Sequence, residues 1–163
     1  MDSELLTEIL IRLLTKTEPV PYELLLDADP SKDAVAKYLD LSEIYIALLK
    51  GKVIATFVLY PLDADTIEIK NIAVDENLQG RGIGKLLLHH ATQIAISKGT
   101  KNLVIGTANS SIAQLYLYQK TGFEITSIKH NFFIDNYPEP LFENGIQCKH
   151  MLMLTKRLLG SIV

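Results

Sequence analysis

The chain has a single cysteine, Cys148, among 163 residues. No disulfide can form within it, and no cysteine–histidine cluster has the ligand number a zinc site requires, so a reducing compartment and a site without metal are expected. Long apolar runs are also missing. The opening residues carry Asp2, Glu4 and Glu8 with no early lysine or arginine, and their apolar stretch is broken by Thr7, Glu8 and Arg12. This pattern reads as neither a secretory leader nor a membrane span, and a cytoplasmic protein is expected. An excess of positive charge is lacking too: the formal net charge is −3, which excludes a broad phosphate-binding footprint for nucleic acid.

A local absence says more. The 47 residues from Asn77 to Phe123 contain no aspartate or glutamate, while Arg81, Lys85, Lys98, Lys101 and Lys120 supply five cations. Of the chain's 16 basic and 19 acidic residues, 11 of the former and all 19 of the latter fall to the remainder. A cation-only central segment favours an anionic ligand there, and the acidic remainder tolerates a cationic second substrate.

The composition, 48 % hydrophobic and 21 % charged, is that of a globular protein with a sizeable core. Leu6, Ile9, Leu10, Leu13 and Leu14 recur at helical spacing and predict an amphipathic helix over residues 3–16, closed by Pro19 and Pro21. After a loop through Asp29 and Pro30, Ser31 caps a second predicted helix reaching about Leu41. Residues 43–49 and 52–60, rich in Ile, Val, Tyr and Phe around Lys50-Gly51, read as a β-hairpin, and residues 66–74 as a third antiparallel strand. A helix over residues 83–99, a strand over 102–107, a helix over 109–120 and closing strands over 123–129 and 149–156 complete the pattern. Without repeats or linkers, residues 1–163 read as one mixed α/β domain.

The stretch Val74-Asp75-Glu76-Asn77-Leu78-Gln79-Gly80-Arg81-Gly82-Ile83-Gly84-Lys85 joins a strand to a helix. Its glycines allow positive φ, so successive N–H groups can converge at the positive end of a helix dipole and cradle an anion. A P-loop needs a glycine five residues before its Gly-Lys and a Ser or Thr after it, where Gln79 and Leu86 stand. A Rossmann fingerprint needs G-x-G-x-x-G and a later acid for the ribose, and the acid-free segment has none.

Gln79-Gly80-Arg81-Gly82-Ile83-Gly84 does match Gln/Arg-x-x-Gly-x-Gly, the diphosphate-binding motif of the GNAT acyltransferases. Leu117-Tyr118-Gln119-Lys120-Thr121-Gly122-Phe123 resembles that family's Leu-Tyr-x-Lys-x-Gly-Phe element. The resemblance covers residues 43–123 best. It implies the GNAT fold, a mostly antiparallel sheet of six or seven strands splayed at the cofactor strand, with helices on both faces. It divides the chain into an N-terminal helix (1–18), a cofactor-binding core (43–129) and a closing loop and strand (130–157). It also implies acetyl-CoA as co-substrate, an amine acceptor, no metal, and homodimers as a common assembly.

By this resemblance the pantetheine arm pairs with the main chain of Ile72, Ala73 and Val74, with Asn109 reaching its amide unless that residue caps the following helix. The diphosphate meets the N–H groups of Gln79, Gly80, Arg81, Gly82, Ile83, Gly84 and Lys85, with Arg81 and Lys85 adding charge. Transfer needs an amine freed of a proton, a stabilised oxyanion and a proton for the departing thiolate. Glu68, six residues before Val74, is the candidate base; Tyr118, five before Phe123, is the candidate acid, with Tyr116 its competitor; a main-chain N–H near Val74 meets the oxyanion. In the aromatic loop, Phe132, Asp135, Tyr137 and Glu143 are candidates for an ammonium-bearing acceptor. His90 falls on the apolar stripe of its helix and reads as packing, and Cys148 as a small buried residue. The rival readings are a non-catalytic acyl-CoA sensor and a nucleotide-binding protein.

Overall fold

A computed structural model describes residues 2–158; residue 1 and residues 159–163 of the expected domain lie outside it. The helix predicted over residues 3–16 is replaced by two elements, α1 (Asp2–Thr7) and the strand β1 (Leu10–Leu13). β1 pairs antiparallel with β2 (Glu43–Leu49), from Leu10↔Leu48 to Leu13↔Tyr45. The reason is tertiary. Residues 9–12 also alternate, Ile9 and Ile11 packing on the core while Leu10 is 58 % exposed, and the strand form satisfies an edge of β2 that a helix would leave unpaired.

α2 (Tyr22–Ala28) occupies part of the expected loop, starting immediately after Pro21 with Glu23 in its first turn. α3 (Lys32–Leu39) starts where predicted, the Ser31 hydroxyl accepting from the Ala34 N–H at 3.1 Å. The hairpin of β2 and β3 (Lys52–Pro61) turns at Lys50 and Gly51, both with positive φ (50° and 79°), the two-residue geometry that matches strand twist. Then follow β4 (Thr66–Val74), a short 3₁₀ turn, α4 (Ile83–Ser97), β5 (Asn102–Ala108), α5 (Ile112–Lys120) and β6 (Glu124–Lys129). The aromatic loop holds α6 (Phe132–Asn136) and a hairpin of β7 (Phe142–Glu143) and β8 (Ile146–Gln147), before β9 (Met151–Arg157).

Seven strands form one sheet in the order β1-β2-β3-β4-β5-β9-β6, and β4–β5 is its one parallel pair. The main core lies on one face, where Ile83, Leu87, Leu88 and Ala91 of α4 meet Phe57, Ile69, Leu103, Ile105 and Leu154. The opposite face packs Leu25 of α2 and Val35 and Tyr38 of α3 on Val58. The expected fold class therefore holds, with helices on both faces of a mostly antiparallel sheet. Among the described residues no helix is long and apolar enough to cross a membrane.

Leu154 is fully buried on β9 between β5 and β6. Leu154→Ala is expected to lower the unfolding free energy by about 2–5 kcal/mol, read from urea denaturation. A loss well under 1 kcal/mol would contradict this packing.

Candidate functional site

Two irregularities of β4 build the site. The first is a loss of pairing. β4 bonds β3 as far as Ala55↔Val74, but β5 only from Thr66↔Asn102 to Ile69↔Ile105. β5 instead stays on β9 to Ala108↔Met151. Beyond Ile69 the sheet splays, and the main chain of Ile72, Ala73 and Val74 is open on the β5 side. Open strand edges are satisfied by extended ligands carrying amides.

The second irregularity is a bulge. Val58 pairs with Asn71 and Leu59 with Ile69, so Lys70 is an extra residue. Ile67 and Ile69 face the main core before it, and Ile72 and Val74 after it. Glu68 and Asn71 consequently share the face covered by α2 and α3. Asn71 Nδ2 donates to the Leu25 carbonyl at 2.9 Å and to the Tyr38 hydroxyl at 3.1 Å, while its Oδ1 is buried without a donor. Burial pushes the Tyr38 phenol up to about 12, against the opposing hydrogen bond from Asn71.

Glu68 is 5 % exposed, and the Lys70 ammonium lies 2.6 Å from its Oε2. That oxygen is charge-paired with Lys70 and is otherwise buried without a hydrogen-bond donor. Lys70 also sits over the Tyr60 and Tyr38 rings, at 5.5 and 6.0 Å. Sequence reasoning proposed Glu68 but did not anticipate Tyr38, Lys70 and Asn71 beside it. The available signal was the adjacent polar pair Lys70-Asn71, which breaks strand alternation.

After β4, the Asp75 carboxylate caps the 3₁₀ turn by accepting from the Asn77 N–H, and Gln79 Nε2 donates to the Val74 carbonyl at 3.1 Å. Gly80 and Gly82 follow in the left-handed region, φ 75° and 88°, and Gly82 is the N-cap of α4. Among the described residues, none of the seven N–H groups from Gln79 to Lys85 donates to the protein. These free donors stand at the positive end of a helix of 15 residues with no acid in its first turn. Arg81 Nε meets the Asp2 carboxylate of α1 at 3.1 Å, and Lys85 is exposed. Seven main-chain donors, two cations and an adjacent open strand edge fit a diphosphate with an amide-bearing arm.

Tyr118 of α5 is 5 % exposed and lies in the main core, across the sheet from Glu68. Among the described residues its hydroxyl has no hydrogen-bond partner. Burial first, and then the charge of Glu143, push its phenol well above the ordinary value and keep it a neutral donor. Tyr116, the competing position, is 63 % exposed and accepts a hydrogen bond from Lys120 at 3.0 Å, so it points away.

Asn109 does not cap α5. Its Nδ2 donates to the Gln147 carbonyl at 3.1 Å, and its Oδ1 accepts from the N–H groups of Lys149 and His150, tying the closing segment to the end of β5. Ser111 takes the cap position and donates instead to Glu143 Oε2 at 2.6 Å, which brings Glu143 toward Tyr118. Tyr137 donates to Asp29 Oδ1 at 2.8 Å, linking the aromatic loop to the end of α2. Phe132 packs edge-on against Phe133, while Asp135 is exposed.

Comparison with known proteins agrees with this geometry. A model of the Acetyltransferase (GNAT) family matches residues 7–123. An uncharacterized N-acetyltransferase of Bacillus subtilis (strain 168), YvbK, is 48 % identical over 144 residues, 88 % of this chain and 93 % of that protein. A GNAT family acetyltransferase from Elizabethkingia anophelis, solved with acetyl-CoA bound, is 54 % identical with a TM-score of 0.91, covering 93 % of this chain and 99 % of the other. An acetyltransferase from Bacillus subtilis solved in complex with CoA is 47 % identical with a TM-score of 0.87, covering 93 % and 99 %.

The tyrosines provide a test of these environments. Burial is the main cause of raised values at Tyr38, Tyr45, Tyr118 and Tyr137, four of the seven tyrosines, while Lys120 lowers Tyr116. A raised phenol means that the native state prefers the neutral ring. Its stabilising contribution is whole below the ordinary tyrosine value of about 10 and is lost as pH rises through the raised values. In a phenolate absorbance titration Tyr116 should ionise before these four, and they only together with loss of the far-UV circular dichroism. Titration of all seven in the native protein would contradict the burial described.

Proposed function

The chain belongs to the GNAT family of acetyltransferases and is an N-acetyltransferase; on that premise we propose that it transfers an acetyl group from acetyl-CoA directly to a primary amine, holding both substrates at once. The observation that carries this reading is the run of seven unengaged N–H groups beside the open edge of β4. Gln79, Gly80, Arg81, Gly82, Ile83, Gly84 and Lys85 receive the diphosphate, the last four at the amino end of α4. Ile72, Ala73 and Val74 pair in strand fashion with the pantetheine arm. Asn109 uses one of its two amide hydrogens on Gln147 and has the other for a pantetheine carbonyl.

The splay is a gap between the two faces of the sheet, and the residues on either side divide the chemistry. Glu68 stands on the α2–α3 face with an oxygen free to accept a proton from the incoming amine, directly or through water. A main-chain N–H at the open edge near Val74 is placed for the carbonyl oxygen as charge develops on it. Tyr118 stands on the main-core face and hydrogen-bonds the departing sulfur, its proton retained by burial. A thiolate with a pKa near ~8.5 needs only that assistance. Phe132, Asp135 and Tyr137 flank the amine's approach, and Glu143 sets the charge around Tyr118. With Cys148 buried against the Ser110 hydroxyl, no exposed thiol suits a covalent acyl-enzyme route. A cytoplasmic location goes with this reading.

Thiol release from acetyl-CoA against a panel of primary amines tests the proposal. Tyr118→Phe is expected to lower kcat by about 10²-fold or more with acetyl-CoA affinity little changed, and Glu68→Gln to lower kcat/KM on a similar scale. No release with any amine, alongside tight acetyl-CoA binding, would favour a sensor instead. Gly82→Ala forces a side chain into the left-handed region at a cost of about 1–2 kcal/mol. It should weaken coenzyme A binding at least tenfold in calorimetry while the amine KM stays the same. Unchanged affinity would remove the loop from the site.

A further inference from the structure

Five ion pairs occur among the described residues, and in four of them the carboxylate is at least partly open to solvent. The fifth differs. Its carboxylate, Glu68, is 5 % exposed, and the Lys70 ammonium 2.6 Å from Oε2 also rests over the rings of Tyr60 and Tyr38, at 5.5 and 6.0 Å. A buried carboxylate and two aromatic faces are what an alkylammonium needs on leaving water. Here the chain supplies that ammonium itself.

Strand pairing decides where this amine stands along the cleft. The last pair between β4 and β5 is Ile69↔Ile105, so the gap between the two strands closes there. Lys70 is the next residue, the extra one in the ladder with β3. A coenzyme with its diphosphate on residues 79–85 and its arm along the open edge from Val74 back to Ile72 runs toward that closed end, and its thioester arrives last. The acyl group and the Lys70 amine are thus brought to one end of one gap. The lysine side chain is 30 % exposed, which leaves it room to swing off the carboxylate.

We propose that Lys70 is a self-acetylation site, its Nζ taking the acetyl group from acetyl-CoA bound to the same chain when no free amine is present. The inference rests on the acetyl-transfer reading. The ammonium gives one proton to Glu68, and the freed lone pair attacks the thioester carbonyl carbon. As the new N–C bond is completed the C–S bond breaks, its electron pair going to sulfur, and the second surplus proton on nitrogen passes to the thiolate. The products are a neutral secondary amide, coenzyme A as the thiol, and one proton on Glu68 for release to water. An acetylated Lys70 carries no charge, so it no longer pairs with Glu68 and leaves that carboxylate to an incoming amine.

The purified full chain incubated with acetyl-CoA and no amine, then mapped by peptide mass spectrometry, tests this. One acetyl group per chain should accumulate on Lys70, at a rate unchanged when the protein is diluted about tenfold, because nucleophile and thioester sit on one molecule. Lys70→Arg should lose that label. Glu68→Gln and Tyr118→Phe should each slow it about tenfold or more, with circular dichroism as the check on folding. Label spread evenly over exposed lysines such as Lys50 and Lys52, and indifferent to Glu68→Gln and Tyr118→Phe, would mean uncatalysed acetylation and overturn the proposal. So would a rate that rises with protein concentration. Thiol release with an added amine while Lys70 stays unmodified would overturn it and leave the transfer reading standing; no release with any amine, and no label on Lys70, would remove both.

Discussion

The main chain of β4 is bonded on both edges as far as Ile69 and on only one edge from there to Val74. The unpaired groups lie between two well-packed walls, so they remain a fixed demand for hydrogen bonds that an extended, amide-bearing ligand can meet. β5 does not follow β4 because it is held by β9 along its whole length. The gap is thus a consequence of strand order, and the glycine loop, Glu68 and Tyr118 are placed relative to it.

Electrostatics reinforce what the backbone begins. The acid-free segment becomes the loop, α4, β5 and α5; of its five cations Arg81 and Lys85 stand at the glycine loop, while Lys98 and Lys101 pair with Glu43 and Asp65 at the opposite end of α4. Glu68 and Asp29 come from other parts of the chain and lie with α2 and α3 on the opposite face of the sheet. At the loop itself Arg81 is paired as well, its partner Asp2 reaching it from α1. A diphosphate would compete with that carboxylate for the same guanidinium.

The central strands and α4 were legible because their signals are local: β-branched alternation around Lys50-Gly51, then a helical stripe that ends at Gly99. The glycine loop was legible as a strand-to-helix turn because Gly80 and Gly82 supply the positive φ that the start of α4 requires. The amino-terminal region was not, since Ile9 to Arg12 fit either period and only the unpaired edge of β2 decides between them. α2 was missed although Pro21 before Glu23 is a helix-start signal. Among candidate residues, Glu68 and Tyr118 were singled out by the resemblance, and both are buried, on opposite faces of the sheet. The surroundings of Glu68 could not be anticipated, because Tyr38 and Asn71 meet only through a bulge and a helix more than 30 residues distant. Asn109 was found, but the three bonds that occupy it come from a segment about 40 residues away, and no local pattern carries that information.

One contact links the glycine loop to α5. A side-chain carbon at Gly84, within the diphosphate loop, would meet Leu117 Cδ2 at 3.3 Å, and Leu117 precedes Tyr118. α4 and α5 therefore approach until bare backbone touches a leucine, and this closeness sets how far the glycine loop stands from the Tyr118 ring. A methyl group at position 84 would push the two helices apart and lengthen that spacing, so the absence of one is a condition of the present geometry.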